Sequence, residues 1–82
     1  MSRLLDPAQP IEVRRDKHGD PVWIGWQRGQ KVLEINRYWR IDDEWWRKEI
    51  SRMYYELVVP IGLVEVYQDL LTGEWFLERL HD

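Results

Sequence analysis

Toward the C-terminus, apolar and polar positions alternate with a period of two, which is the pattern of half-buried strands rather than helices. Residues 54–59 (Tyr-Tyr-Glu-Leu-Val-Val), 63–68 (Leu-Val-Glu-Val-Tyr-Gln) and 75–80 (Trp-Phe-Leu-Glu-Arg-Leu) each follow it. A Pro-Ile-Gly turn and a Leu-Leu-Thr-Gly turn separate them, so the pattern predicts a three-stranded antiparallel meander. Setting Val59 opposite Val64, and Asp69 opposite Glu74, brings Leu57 beside Val66 and Val66 beside Leu77. One face then collects Tyr55, Leu57, Val59, Val64, Val66, Trp75 and Leu77, with Gln68 and Arg79 at its ends. That face is the expected core. The other collects Tyr54, Glu56, Val58, Glu65, Tyr67, Phe76 and Glu78. A one-residue slip would mix the two sets, so the hydrophobic pattern selects this register, subject to a bulge at Gly62.

The N-terminal half is less regular. Pro7 and Pro10, with Asp6 and Gln9, continue no period, so residues 1–10 read as a flexible tail. Ile11-Glu12-Val13-Arg14 alternates as a first strand, and Lys17-His18-Gly19-Asp20-Pro21 reads as a turn. Val22-Trp23-Ile24-Gly25-Trp26 resumes the strand pattern, where Gly25 marks a bend, a bulge or a crowding neighbour. Arg28-Gly29-Gln30 is a second turn. Residues 32–41 are again strand-like, with Trp39 and Ile41 on one face and Tyr38 and Arg40 on the other; Trp39 is grouped with Trp75 and Tyr55 on the core face.

Residues 42–51 carry two signals. Asp42 or Asp43 could cap a helix, and Trp46, Ile50, Met53 and Leu57 fall at helical spacing. The strand formers of 54–59 argue against it, so the expectation is a loop or one helical turn at 42–49 and a strand from about residue 51. The fold class expected is all-β: five or six short antiparallel strands in a small, strongly curved sheet or barrel, forming a single domain over residues 11–82.

Composition changes this picture in one respect. The chain carries six Trp, four Tyr and one Phe in 82 residues, and each ring can bury about 150–250 Å². Such density exceeds what a small core needs, so Tyr54, Tyr67 and Phe76 form a candidate partner-binding strip, together with Trp45 and Trp46 in the irregular segment. The net charge of −3 is unevenly spread: residues 14–52 hold ten Lys/Arg against seven acids, and residues 53–82 hold Arg79 against six. Such a bipolar molecule could meet a phosphate backbone or an acidic partner with one side only.

Candidate chemistry is sparse. Without cysteine there is no disulfide framework, thiolate metal site or cysteine nucleophile, which suits a cytoplasmic setting. His18 and His81 stand alone, so no metal site or cofactor is expected. Ser2 and Ser51 lack a nucleophile-elbow context, and no phosphate loop is present. Asp42-Asp43-Glu44 reads as a solvated loop rather than a cation site. No apolar run approaches the 18 or so residues of a membrane span, and the N-terminus does not read as a signal peptide. The expectation is therefore a non-enzyme. What remains is basic–aromatic interleaving: Arg37-Tyr38-Trp39-Arg40, Trp45-Trp46-Arg47-Lys48 and Arg52-Met53-Tyr54-Tyr55. Single-strand binders stack bases on rings and follow phosphates with Arg and Lys, so Arg37, Tyr38, Arg40, Arg47 and Arg52 are candidate nucleic-acid contacts.

Trp45-Trp46, Arg52-x-Tyr54-Tyr55-x-Leu57 and Leu63-x-x-Val66-Tyr67-x-Asp69-x-x-Thr72-Gly73-x-Trp75-Phe76-Leu77 occur in that order. Over residues 37–82 the chain thereby resembles a group of small, uncharacterised bacterial proteins. It also resembles the extreme C-terminal segment of the Y-family polymerase-like component of the bacterial mutasome. The resemblance implies a non-catalytic accessory or interaction module outside any polymerase fold, a link to the DNA damage response, and strand for residues 54–59. The leading expectation is therefore a protein-interaction module. The alternative is a single-stranded nucleic-acid-binding domain. A homodimer through an unpaired edge strand, such as residues 11–14, is also open.

Overall fold

In the computed structural model the backbone is described for residues 2–45 and 48–81. The described residues form eight strands: β1 (Ser2–Ile11), β2 (Val13–Arg15), β3 (Pro21–Ile24), β4 (Gln30–Lys31), β5 (Glu34–Trp45), β6 (Lys48–Val59), β7 (Gly62–Asp69) and β8 (Trp75–His81). They build two antiparallel sheets, one of five strands in the order β1-β8-β7-β6-β5 and one of three in the order β2-β3-β4. The protein is all-β as expected, but the large sheet ends in two edges, β1 and β5, where a barrel would close.

The meander is where the alternation places it. Leu57, Val59, Val64, Val66, Trp75 and Leu77 share one buried cluster, and Ile24 of β3 lies in it. Val13, Trp26 and Val32 pack against the same cluster, so the small sheet covers this face of the large one. Leu57, Leu77, Val66 and Ile24 are fully buried, and each such side chain stabilises the fold by about 1.5–3 kcal/mol. The β6–β7 register differs from expectation. A tighter turn at Pro60-Ile61 pairs Val59 with Gly62 and Leu57 with Val64. The shift is two residues, so every side chain keeps its face.

Three expectations are corrected. Residues 2–10, read as a tail, belong to β1, which pairs Ser2–Leu4 with Arg79–His81 and, beyond a register break, Gln9–Ile11 with Trp75–Leu77. An edge strand tolerates Pro7 and Pro10 because its outer amides need no ladder partner. The strand expected at residues 11–14 is split between the two sheets, Ile11 closing β1 and Val13 opening β2. The loop or helical turn expected at 42–49 is a continuation of the β5–β6 hairpin, with pairs Asp42–Ser51, Asp43–Ile50, Glu44–Glu49 and Trp45–Lys48. The Ser51 hydroxyl donates to the Asp42 carboxylate at 2.6 Å across this ladder, a contact that helical spacing cannot offer. Trp46 and Arg47 lie outside the described residues.

Two glycines seat the small sheet. Gly25 donates its amide to the Glu12 carbonyl at 2.7 Å. A Cβ at Gly25 would stand 3.2 Å from both the Glu12 Cβ and the Trp23 ring, so the crowding neighbour foreseen there is Glu12 and Trp23. At the second turn Gln27, Arg28 and Gly29 all have positive φ, and a Cβ at Gly29 would come within 2.5 Å of the Trp23 ring. Replacing Gly29 by Ala adds strain in the left-handed region to a clash with an indole. Gly29→Ala is expected to lower stability by about 1–3 kcal/mol, read as a fall in the thermal unfolding midpoint; an unchanged midpoint would show that the Trp23 ring moves freely.

Candidate interaction face

Opposite the core, β6 presents Arg52, Tyr54, Glu56 and Val58, and its neighbours must match that face. The cross-strand pairs Trp39–Tyr54, Tyr54–Tyr67, Tyr67–Phe76 and Phe76–Pro10 run in one line through all five strands. The ring centroids are 5.3, 5.2 and 5.2 Å apart from Trp39 to Phe76, with interplanar angles of 5°, 35° and 23°. Trp39–Tyr54 and Tyr67–Phe76 are therefore stacked, and the central pair Tyr54–Tyr67 is tilted. Their faces are used on each other, which leaves Tyr54 and Tyr67 only 7% exposed although no further sheet lies over them among the described residues. Each aromatic pair adds about 0.5–1.5 kcal/mol beyond area burial.

A bulge in β5 brings Trp39 into this row, and a second bulge in β8 shapes the charged row beside it. In β5, Ile35 pairs with Leu57 and Arg37 with Glu56, so Asn36 is an extra residue. The strand changes parity there. Ile35 packs on the core, while Arg37 and Trp39 turn to the opposite face. Trp39 is therefore not a core-face ring with Trp75, as the alternation of residues 32–41 suggests; Tyr55 alone meets Trp75, at 5.6 Å. In β8, Leu77 pairs with Val66 and Arg79 with Glu65, so Glu78 is the extra residue. Leu80, not Arg79, then takes the core position opposite Val64.

Each bulge puts two polar side chains around one glutamate. Glu56, 7% exposed, accepts from Asn36 Nδ2 at 2.5 Å and from Arg37 Nε at 3.2 Å. Glu65 has Arg79 Nε at 3.7 Å, with Glu78 beside it. Burial, reinforced by the Glu65 charge, pushes the Glu78 carboxyl above the usual carboxylate range. Its Oε2 atom is buried without a hydrogen-bond partner. Burial likewise raises the hydroxyls of Tyr54 and Tyr67, which stay protonated at neutral pH.

Of the arginines expected to follow phosphates, Arg37, Arg40 and Arg52 are engaged within the chain. The Arg52 guanidinium lies 4.5 Å from the Tyr67 ring centroid and donates to the Tyr54 hydroxyl at 3.2 Å. Arg37 lies 4.9 Å from the Trp39 centroid while it holds Glu56. Arg40 forms an ion pair with Asp42, Nε to Oδ2 at 2.6 Å; with the Ser51 hydroxyl, this holds the Asp42 carboxyl below its ordinary value. Tyr38 is 69% exposed and sits on the other face, 6.3 Å from Tyr55. The structure thus brings together Tyr54, Tyr67, Phe76, Arg37 and Arg52, and leaves Tyr38 and Arg40 apart from them. The Trp45 backbone pairs in the hairpin tip, whereas Trp46 and Arg47 fall outside the described residues.

Trp39, Pro10, Asn36 and Arg79 belong to this face and were not among the candidates. Arg37-x-Trp39 and Arg52-x-Tyr54 are the same signal, a cation two residues before a ring, which on a strand places both on one face. Among the described residues no group of three or more His, Asp or Glu is arranged to hold a metal ion, and no helix is long and apolar enough to cross a membrane. No protein-family model, curated protein or solved structure matches the chain.

A carboxyl whose value is raised by folding contributes stability at low pH and loses it as pH rises through the folded value. Ionised Glu78 therefore opposes folding at neutral pH. Glu78→Gln is expected to raise the unfolding midpoint at neutral pH, with the gain shrinking toward about pH 4. Thermal scans of both proteins across that range check the sign; a loss at neutral pH would mean that the ionised carboxylate holds the bulge.

Proposed function

We propose that the chain is a non-enzymatic protein-interaction module that docks a partner on the ring face of the five-stranded sheet. The observation that carries this reading is the row Pro10–Phe76–Tyr67–Tyr54–Trp39, over which no further sheet lies among the described residues. A sheet with one face sealed by a second sheet would ordinarily turn polar residues outward on the other. Here that face carries a row of four packed rings, with Val58 and Leu63 beyond the charged Glu56–Glu65 row. Its charges are largely neutralised locally by Arg37–Glu56 and Arg79–Glu65. An apolar row with compensated charges suits an apolar partner strip, and Trp, Tyr and Arg are frequent anchors of such contacts. If the resemblance of residues 37–82 holds, the partner belongs to a DNA-repair assembly.

Single-strand nucleic-acid binding has less support. Base stacking needs free ring faces, and those of Tyr54 and Tyr67 are taken by their neighbours. Arg37, Arg40 and Arg52 are each held by a carboxylate or a ring of the same chain.

Trp39 and Phe76, the half-buried ends of the ring row, test the reading without opening its middle. The double variant Trp39→Ser/Phe76→Ser is expected to stay folded and to lose a partner that both wild type and the opposite-face variant Tyr38→Ser retain. With the partner purified, the dissociation constant should rise by about tenfold or more. A partner retained equally by all three proteins would place the contact elsewhere.

A further inference from the structure

The large sheet has two edges of different character. β1 is guarded by Pro7 and Pro10 and by a register break between Leu4 and Gln9. β5 is unguarded. Beyond its bulge, residues 37–45 pair without interruption on β6 and contain neither Pro nor Gly. Their outer side has no strand beside it among the described residues. Such an edge is a template for another strand. Tyr38 and Ile41 are exposed on it, at 69% and 40%.

Charge is ordered along this strand. The first half of β5 carries Arg37 and Arg40 with Glu34, and the second half carries Asp42, Asp43 and Glu44. A strand that is basic then acidic is complementary to itself when paired antiparallel. We propose that two copies of this chain associate by antiparallel pairing of their β5 edges about a two-fold axis at Ile41.

In this register Ile41 faces Ile41 of the second copy, Arg40 faces Asp42, Trp39 faces Asp43 and Tyr38 faces Glu44, each pair occurring twice. Arg40 and Asp42 already bond within one chain at 2.6 Å, so the two copies would close an alternating cluster of two arginines and two aspartates. Antiparallel ladders allow only registers that differ by two residues in pairing sum, because both facing residues must turn their amides the same way. One neighbouring register sets Arg40 against Arg40, and the other sets Asp42 against Asp42. Like charges directly opposite are unfavourable, so the alternatives are selected against on both sides. The Glu44 amide is already taken by the Asp43 carboxylate at 2.8 Å, which marks the end of the new ladder. The result is a continuous ten-stranded sheet whose two ring faces lie side by side. This proposal is independent of what those faces bind.

Sedimentation equilibrium from micromolar to near-millimolar protein tests it. Wild type should show a concentration-dependent monomer–dimer equilibrium. Arg40→Asp, which sets acid against acid, should weaken dimerisation by about tenfold or more, and Arg40→Asp/Asp42→Arg should restore it. Ile41→Lys, at an exposed position, should also yield monomer and carries the test if Arg40→Asp does not fold, as judged by far-UV circular dichroism. Hydrogen-exchange protection of residues 38–44 should rise with concentration. A wild type that stays monomeric overturns the proposal. A dimer that Arg40→Asp and Ile41→Lys leave unchanged, or whose protection appears elsewhere, overturns it equally.

Discussion

The strict alternation of β6 is the constraint on which the rest of the sheet depends. This strand has neighbours on both sides and bulky side chains on both faces, with Leu57 fully buried on one and Tyr54 nearly so on the other. It cannot slip by one residue without exchanging Leu57 and Val59 for Glu56 and Val58 in the core. Its neighbours therefore adapt to it. β7 matches it directly, whereas β5 and β8 each admit one extra residue. The extra residue at Asn36 allows both the burial of Ile35 and the stacking of Trp39, and the one at Glu78 allows both Leu77 and Leu80 to face the core.

The bulges also account for the electrostatics of the exposed face. A bulge turns two consecutive side chains to the same side, so each provides a pair around a glutamate that faces away from the core. At Glu56 the pair is Asn36 and Arg37, and the carboxylate is satisfied twice. At Glu65 the pair is Glu78 and Arg79, one like charge and one opposite, and Glu78 is left with an unpartnered oxygen. The same device therefore yields one fully compensated site and one compensated only in part. The difference lies in whether the extra residue can donate a hydrogen bond.

The aromatic excess resolves into two populations. Trp75 and Tyr55 line the covered face, with the Arg15 guanidinium 6.0 Å from the Trp75 ring. Trp39, Tyr54, Tyr67 and Phe76 line the open one. Arg37 and Arg52 of the interleaved stretches, with Arg14 and Arg15 outside them, lie over rings of the same chain. A guanidinium lying over an indole or phenol fills part of the surface that a nucleobase would need. What the open face offers a partner is the outer edges of a packed row, a surface suited to shape-matched apolar contact.

The sequence by itself determined the strands of the C-terminal meander, their two faces up to Leu77 and the meander's share of the core, because a period of two is local and each residue reports its own face. It determined the turns at Gly19 and Gly29 for the same reason, since positive φ is a property of one residue. It did not determine which face Trp39 joins, because Asn36 carries no mark of a bulge until β6 is beside it. Nor did it show that residues 2–11 are a strand: the two prolines hide the pattern, and only the open side of β8 gives that segment a partner. The hairpin tip was ambiguous because its apolar spacing fits a helix as well as a strand, and the cross-strand ladder to β6 decided it. Alternation placed Tyr54, Tyr67 and Phe76 on one face, whereas the addition of Trp39 to their row was settled by the β5–β6 pairing, which no local period records.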